Sequence, residues 1–464
     1  MRQSWSWWFA GCVVLMTAGC PSGSRTDVAP REEAAEHTAP AVPPDAAASP
    51  APASLGATRP RVSPAPPGDA DPLAPLRAQI EQWGGQVEFD GEGRLVAVDL
   101  LHASLADADV EQLAKLPHLQ RLQLKGAEIT DASMPQLARL TGLTDLALDT
   151  VTVTDAGVRT LVALKNLRSL RLRRLTRMSD AAAAHFKELP RLEHLILTDS
   201  YISDGGLLPI SQLKNLRTLD LDGSDLIGDG GLELIAGMQQ LQSLRVRSRA
   251  ISDSGLECLT PMAQLRTLAV EDSLAVSDHG LEFVGRLSGL EDLSVAQAFQ
   301  VTDEGLAHLA GLTKLRRLDL RRLALNGSGL VHLKGMTELK SLDLGGTPIS
   351  DEALVHLTAL PSLTTLNVME TPLTDAGMQT IGELRALRTL ILRKVRISDA
   401  GLAPLTKIGN LGRLELRDTP ITAAAVPHLA RCTQLKELDV SNTGITAAGL
   451  GQLRQALPRA KIAH

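Results

Sequence analysis

Leucine recurs with a steady beat along most of this chain. A Leu-x-x-Leu-x-Leu hexad begins at Leu95, Leu119, Leu143, Leu167, Leu192, Leu216, Leu241, Leu265, Leu290, Leu315, Leu339, Leu363, Leu387, Leu411 and Leu435. Alternation of apolar and polar positions predicts a short strand whose leucines face a core. A short polar stretch follows each hexad, often with a small residue such as Thr347, Thr371, Thr419 or Thr443. Next come an apolar residue and a Ser/Thr-Asp pair, as in Ile202-Ser203-Asp204, Ile251-Ser252-Asp253, Val301-Thr302-Asp303, Ile349-Ser350-Asp351 and Ile397-Ser398-Asp399. Such a pair offers acceptors to free amides, and the acid suits the positive end of a helix. The Leu-x-x-Leu-x-x-Leu stretch after it predicts that helix.

Successive hexads start 24 or 25 residues apart. One strand–helix unit of this length cannot bury its apolar face alone, so neighbours must stack. The extra residue of the longer units is expected in the strand-to-helix loop, as at Asp225-Leu226-Ile227 and Ala298-Phe299-Gln300. The tail from Pro458 to Ile462 reads as a truncated final strand.

These registers resemble the leucine-rich repeat family, in particular the bacterial, ribonuclease-inhibitor-like type with a Thr-Asp-x-Gly-Leu helix start. The resemblance covers about residues 87–464. It implies an α/β solenoid: a curved horseshoe of about fifteen strand–helix repeats with a parallel sheet on the concave face. Fifteen strands at the usual spacing make a sheet about 70 Å long. Such proteins generally bind other macromolecules, mostly proteins, along that face.

The N-terminus follows other rules. Arg2 precedes an apolar stretch from Trp5 to Ala18, too short for an ordinary membrane-spanning helix. It ends Leu15-Met16-Thr17-Ala18-Gly19-Cys20, which resembles a bacterial lipobox; Ala18, Gly19 and Cys20 match, and Thr17 stands where Leu is usual. Residues 1–20 are therefore expected to be a lipoprotein signal, with Cys20 the lipidated residue of an extracytoplasmic protein in the bacterial cell envelope, in the outer membrane if the host has one. Residues 21–70 read as a disordered Pro/Ala-rich linker, since 13 of the 25 prolines lie between Pro21 and Pro75. Residues 71–94 read as an N-terminal cap: Asp71-Pro72 opens a helix, Leu73, Leu76, Ile80 and Trp83 share its apolar stripe, and Val87 and Phe89 lead into a hairpin turn at 90–93. Residues 95–464 are the repeat domain.

Composition narrows the function. The 464 residues carry a net charge of −6, with only 2% aromatics. That excludes the usual basic nucleic-acid binder and leaves little for stacking on bases or sugars. The chain holds no phosphate-binding loop, nucleophile elbow, zincin helix or dinucleotide fingerprint, so neither an enzyme nor a cofactor is expected. Cys258 and Cys432 lie in distant repeats and read as small buried hydrophobes. A histidine column (His308, His332, His356, with His185 and His428) and the acidic run Asp220, Asp222, Asp225 and Asp229 have ligand-type side chains. The former reads as a repeat position that tolerates His, the latter as solvated concave residues, and no metal is expected.

The charge pattern on the predicted concave face is more informative. The position after the hexad is Arg173, Arg247, Arg321 and Arg393 in repeats 4, 7, 10 and 13, with basic companions that include Arg171, Arg245 and Arg317. The intervening repeats are mostly acidic or neutral there. This predicts basic bands about 15 Å apart. Arginine suits carboxylate and phosphate, so Arg171, Arg173, Arg245, Arg247, Arg317, Arg321 and Arg393 are the candidate ligand-binding residues; the same charges would also serve simply to solvate the sheet. The expected function is a non-catalytic, lipid-anchored protein-binding module. An acidic envelope glycan as ligand, or a structural spacer, is the alternative.

Overall fold

A computed structural model of the protein describes residues 73–464; the signal segment with Cys20, the linker and the Asp71-Pro72 helix start lie outside the described residues. Each hexad forms a strand, from Leu95–Leu100 to Glu437–Asp439, and every one pairs in parallel with the next in register, leucine beside leucine. Lys461–Ala463 adds a last parallel strand, with Ile462 beside Leu438. At the other end, Gln86–Phe89 pairs antiparallel with Leu95–Leu100. A helix at Ala74–Gln82 precedes it, with Ile80 buried and Trp83 packed on the core. The result is one 17-stranded sheet backed by helices: an open solenoid with a single continuous apolar core.

The Ser/Thr-Asp pair does more than start its own helix. Ser252 Oγ accepts the amide of Ser254 in its own repeat, as expected of a cap. The aspartate, however, reaches into the following repeat. Asp229 accepts the Ser252 amide at 2.8 Å and the Ser252 hydroxyl at 2.5 Å. Asp131 does the same to Thr154, Asp180 to Ser203, Asp278 to Thr302 and Asp375 to Ser398. These carboxylates form a ladder that ties successive repeats together. The ladder explains the glycine two residues beyond the aspartate: a Cβ on Gly255 would fall well inside 3.0 Å of the Asp229 carboxylate.

Most strands end in a second recurring device. Thr150, Arg174, Asp199, Asp272, Gln297, Arg322, Glu370, Lys394, Asp418 and Asn442 occupy equivalent positions with φ between 53° and 64°. Left-handed backbone is costly for side-chain-bearing residues, on the order of 1 kcal/mol each. It turns the chain while keeping the sheet bonded, since the Arg322 amide still donates to the Gly345 carbonyl at 2.9 Å. Beneath the turn a buried hydroxyl closes it: Thr347, Thr371 and Thr419 donate to the carbonyls of Leu344, Val368 and Leu416.

Two expectations need correction. The leucine stretch forms α-helix in repeats 3 to 8, but 3₁₀-helix in repeat 9 (Gly305–Gly311), repeat 10 (Ser328–Gly335), repeat 11 (Glu352–Ala359) and repeat 13 (Ala400–Lys407). Apolar spacing alone does not separate the two geometries. Cys432 is buried, which pushes its thiol up to about 11, but Cys258 is only half-buried.

Candidate functional site

Side chains between and just after the strand leucines stand on the concave face. All seven candidate arginines occupy these positions, in repeats 4, 7, 10 and 13. Most are already engaged. Arg247 Nε lies 2.7 Å from Asp222, with Asp199 at 4.0 Å. Arg317 binds Asp292 through Nε at 2.9 Å and through a second guanidinium nitrogen. Arg321 grips Asp319 at 2.6 Å and approaches Asp343 at 3.6 Å. Arg393 Nε lies 2.6 Å from Glu415 but points off the oxygen, so the contact is an ion pair without an aligned hydrogen bond. Arg245 stands in register with Asp220, and the field of each acts on the other.

The predicted bands are thus charge lattices. In repeats 7, 10 and 13 the arginines meet carboxylates on their own or an adjoining strand. The acids respond to the same burial. Burial pushes up the carboxyls of Asp220 and Glu271. It lifts Asp343 to about 6, reinforced by Asp319 and opposed by bonds from the Gly345 amide and Asn367. Arg321 is held in its charged form by Asp319 against the cost of its burial.

Repeat 4 differs. Arg168 pairs with Glu193 at 2.7 Å and Arg174 with Asp149 at 2.5 Å. Arg171 and Arg173 have no ion pair among the described residues. Arg171 stands in register between Ala147 and Ile196, neither of which can answer a guanidinium. The sequence pattern flagged these two residues but could not separate them from the paired ones, because pairing depends on the neighbouring strands.

Sequence reasoning missed a second feature. Tyr201, Leu226, Leu274 and Phe299 are 58, 55, 43 and 55% exposed. They lie in the strand-to-helix loops of repeats 5, 6, 8 and 9, along the edge next to the concave sheet. Leu226, Leu274 and Phe299 belong to units of 25 residues, whose extra residue falls in that loop. The loop length was the available signal.

The histidine column and the acidic run bring no group able to hold a metal together among the described residues. Asp229 is a rung of the ladder and Asp222 is bound to Arg247.

A leucine-rich repeat region model matches residues 94–328, and a second leucine-rich repeat model matches 359–382 and 431–453. The chain is a leucine-rich repeat protein. An internalin, InlF, from Listeria monocytogenes superposes on this leucine-rich repeat protein with a TM-score of 0.52 and 20% identity, over 79% of this chain and 94% of that one. The functional domain of InlJ, also from Listeria monocytogenes, gives 0.43 and 17%, covering 79% and 71%. A leucine-rich repeat protein of Leptospira interrogans gives 0.39 and 19%, covering 78% and 95%. At these identities the likeness is one of fold. No curated protein matches the chain. Leucine-rich repeat proteins commonly serve as binding scaffolds.

Proposed function

We propose that this leucine-rich repeat protein is a non-catalytic protein-binding module, tethered at the bacterial cell envelope through a lipidated Cys20. The observation that carries the binding reading is the exposed apolar edge: Tyr201, Leu226, Leu274 and Phe299 in four of five successive repeats. Exposed aromatic and aliphatic side chains beside polar surface are typical anchors of protein interfaces. The pairing of the arginines in repeats 7, 10 and 13 favours a protein over a polyanionic glycan, because among the candidate arginines cationic charge is left unanswered only in repeat 4.

The test is capture from envelope extract with the full chain, beside a Tyr201→Ser/Phe299→Ser variant of unchanged circular dichroism. A defined protein held by the wild type and lost from the variant is the expected result. Equal capture by both would move binding away from this edge, and capture abolished by a soluble polyanion would restore the glycan reading. For the tether, Cys20→Ser should release the protein from membranes; retention would overturn the lipid anchor.

A further inference from the structure

Three polar groups in repeats 4 and 5 are poised without partners among the described residues. Arg171 Nε is buried and has no hydrogen-bond acceptor. Thr198 Oγ1, in the turn just after the next strand, is buried and equally unpartnered among the described residues. Arg173 is exposed and has no ion pair among the described residues. The strands are in parallel register at Arg171 and Ile196, and the Arg174 amide donates to the Thr198 carbonyl at 3.0 Å, which sets Thr198 beside Arg173. Arg171 and Arg173 project from the concave face by the alternation of their strand, and Thr198 stands next to Arg173 in the turn after the following strand.

Buried polar atoms are nearly always satisfied, so two orphaned ones in adjoining repeats require an explanation. The neighbouring acids do not supply it. Asp149 is occupied by Arg174 and by the Thr150 hydroxyl. Asp220 acts on Arg173 only through its field and lies in the reach of Arg245 as well. Elsewhere on this face an arginine meets a carboxylate from its own or an adjoining strand; here Asp149, in register with Arg173, turns to Arg174 instead, and Arg171 has Ala147 and Ile196 beside it.

We propose that repeats 4 and 5 form a carboxylate-binding site, in which the guanidinium groups of Arg171 and Arg173, with Thr198 beside them, receive an acidic side chain of a protein partner. The inference rests on the protein-binding reading and deepens it. A planar carboxylate has two oxygens for guanidinium donors and capacity left for a hydroxyl. A protein source fits the setting, because Tyr201 stands exposed in the loop that follows Thr198.

The experiment follows the arginine Nε–H resonances of the full chain by nitrogen-15 NMR, with that of Arg171 assigned by its loss in Arg171→Gln. The probes are N-acetyl-glutamate amide, its glutamine counterpart, galacturonic acid and inorganic phosphate. The glutamate probe should shift the Arg171 signal saturably and the glutamine probe should not. Arg173→Gln should weaken the effect about tenfold and Thr198→Val about threefold. Arg317→Gln, in a lattice already paired, should leave it unchanged. No saturable shift, an equal shift in Arg173→Gln, or tighter binding of phosphate or galacturonic acid would overturn the proposal. Loss of this site with partner capture still dependent on Tyr201 and Phe299 would leave the protein-binding reading standing. A functioning site in a chain that captures no protein would overturn the protein source of the carboxylate and leave the site itself in place.

Discussion

Repeats 1 to 8 and repeats 9 to 14 are built from one motif yet are held together differently. In the first group the aspartate ladder is continuous, from Asp107 on Thr130 to Asp278 on Thr302. In the second it is interrupted. Asp303 still reaches the amides of Asn326, Gly327 and Gly329. Repeat 10 then has Gly327 where an aspartate would stand, and the seam to repeat 11 is closed by a backbone bond, Ser350 amide to Asn326 carbonyl at 3.1 Å. Around this seam the helices are 3₁₀. Repeat 12 returns to α-helix, and there the Thr374 side chain again accepts the Ala376 amide while Asp351 again holds Thr374. Repeat 9 is 3₁₀ although its Thr302 keeps both bonds, so capping contributes to helix type without deciding it.

The difference shows that the solenoid is a chain of seams of unequal strength, in which local opening is expected at the weakest. The largest expected effect separates the two groups directly. Asp229→Ala removes two charge-assisted bonds and strands the Ser252 amide, and should cost about 2–4 kcal/mol. Asn326→Ala, at the seam without a carboxylate, should cost less than about 1 kcal/mol. Denaturant midpoints read both, and equal losses would dissolve the distinction.

A double-mutant cycle sharpens it. A Cβ on Gly327 would collide with Ala353, the residue that replaces the usual glycine in repeat 11. Gly327→Asp alone should therefore destabilise by about 2 kcal/mol, through overpacking and its left-handed φ of 99°. Adding Ala353→Gly should recover about 1 kcal/mol of that loss, a coupling that independent sites would not show. Hydrogen exchange offers a gentler probe. Amides of 328–335 and 352–359 should exchange about tenfold faster than those of 229–236, a difference of about 1.4 kcal/mol in opening.

The smallest effect concerns pH. The folded pKa of Asp343, about 6, lies above its ordinary value of 3.8, chiefly through burial. Native protein therefore holds that proton more tightly, and stability declines as pH rises from about 4 to about 6. Asp343→Asn should lack this decline. Parallel pH profiles of wild type and variant would contradict the assignment.

The leucine hexads located every repeat strand, the last strand and the strand-to-helix position of the extra residues, because burial imposes a period that needs no partner to be recognised. The Ser/Thr-Asp-x-Gly signal was visible too, but its physics was only half legible. Capping within a repeat is local, whereas the reach of Asp229 to Ser252 and the room made by Gly255 exist only once repeats are stacked. The left-handed strand ends carried no glycine to announce them at Arg174 or Lys394.

For the site, sequence placed seven arginines on the concave face and could go no further. Which of them are spent depends on the side chain one strand away, about 24 residues distant in the chain. The stacking register answers Arg317 with Asp292 and leaves Arg171 between Ala147 and Ile196. Periodic burial is thus written along the chain, while charge pairing arises across it, and only the assembled sheet decides which charges remain to meet a partner.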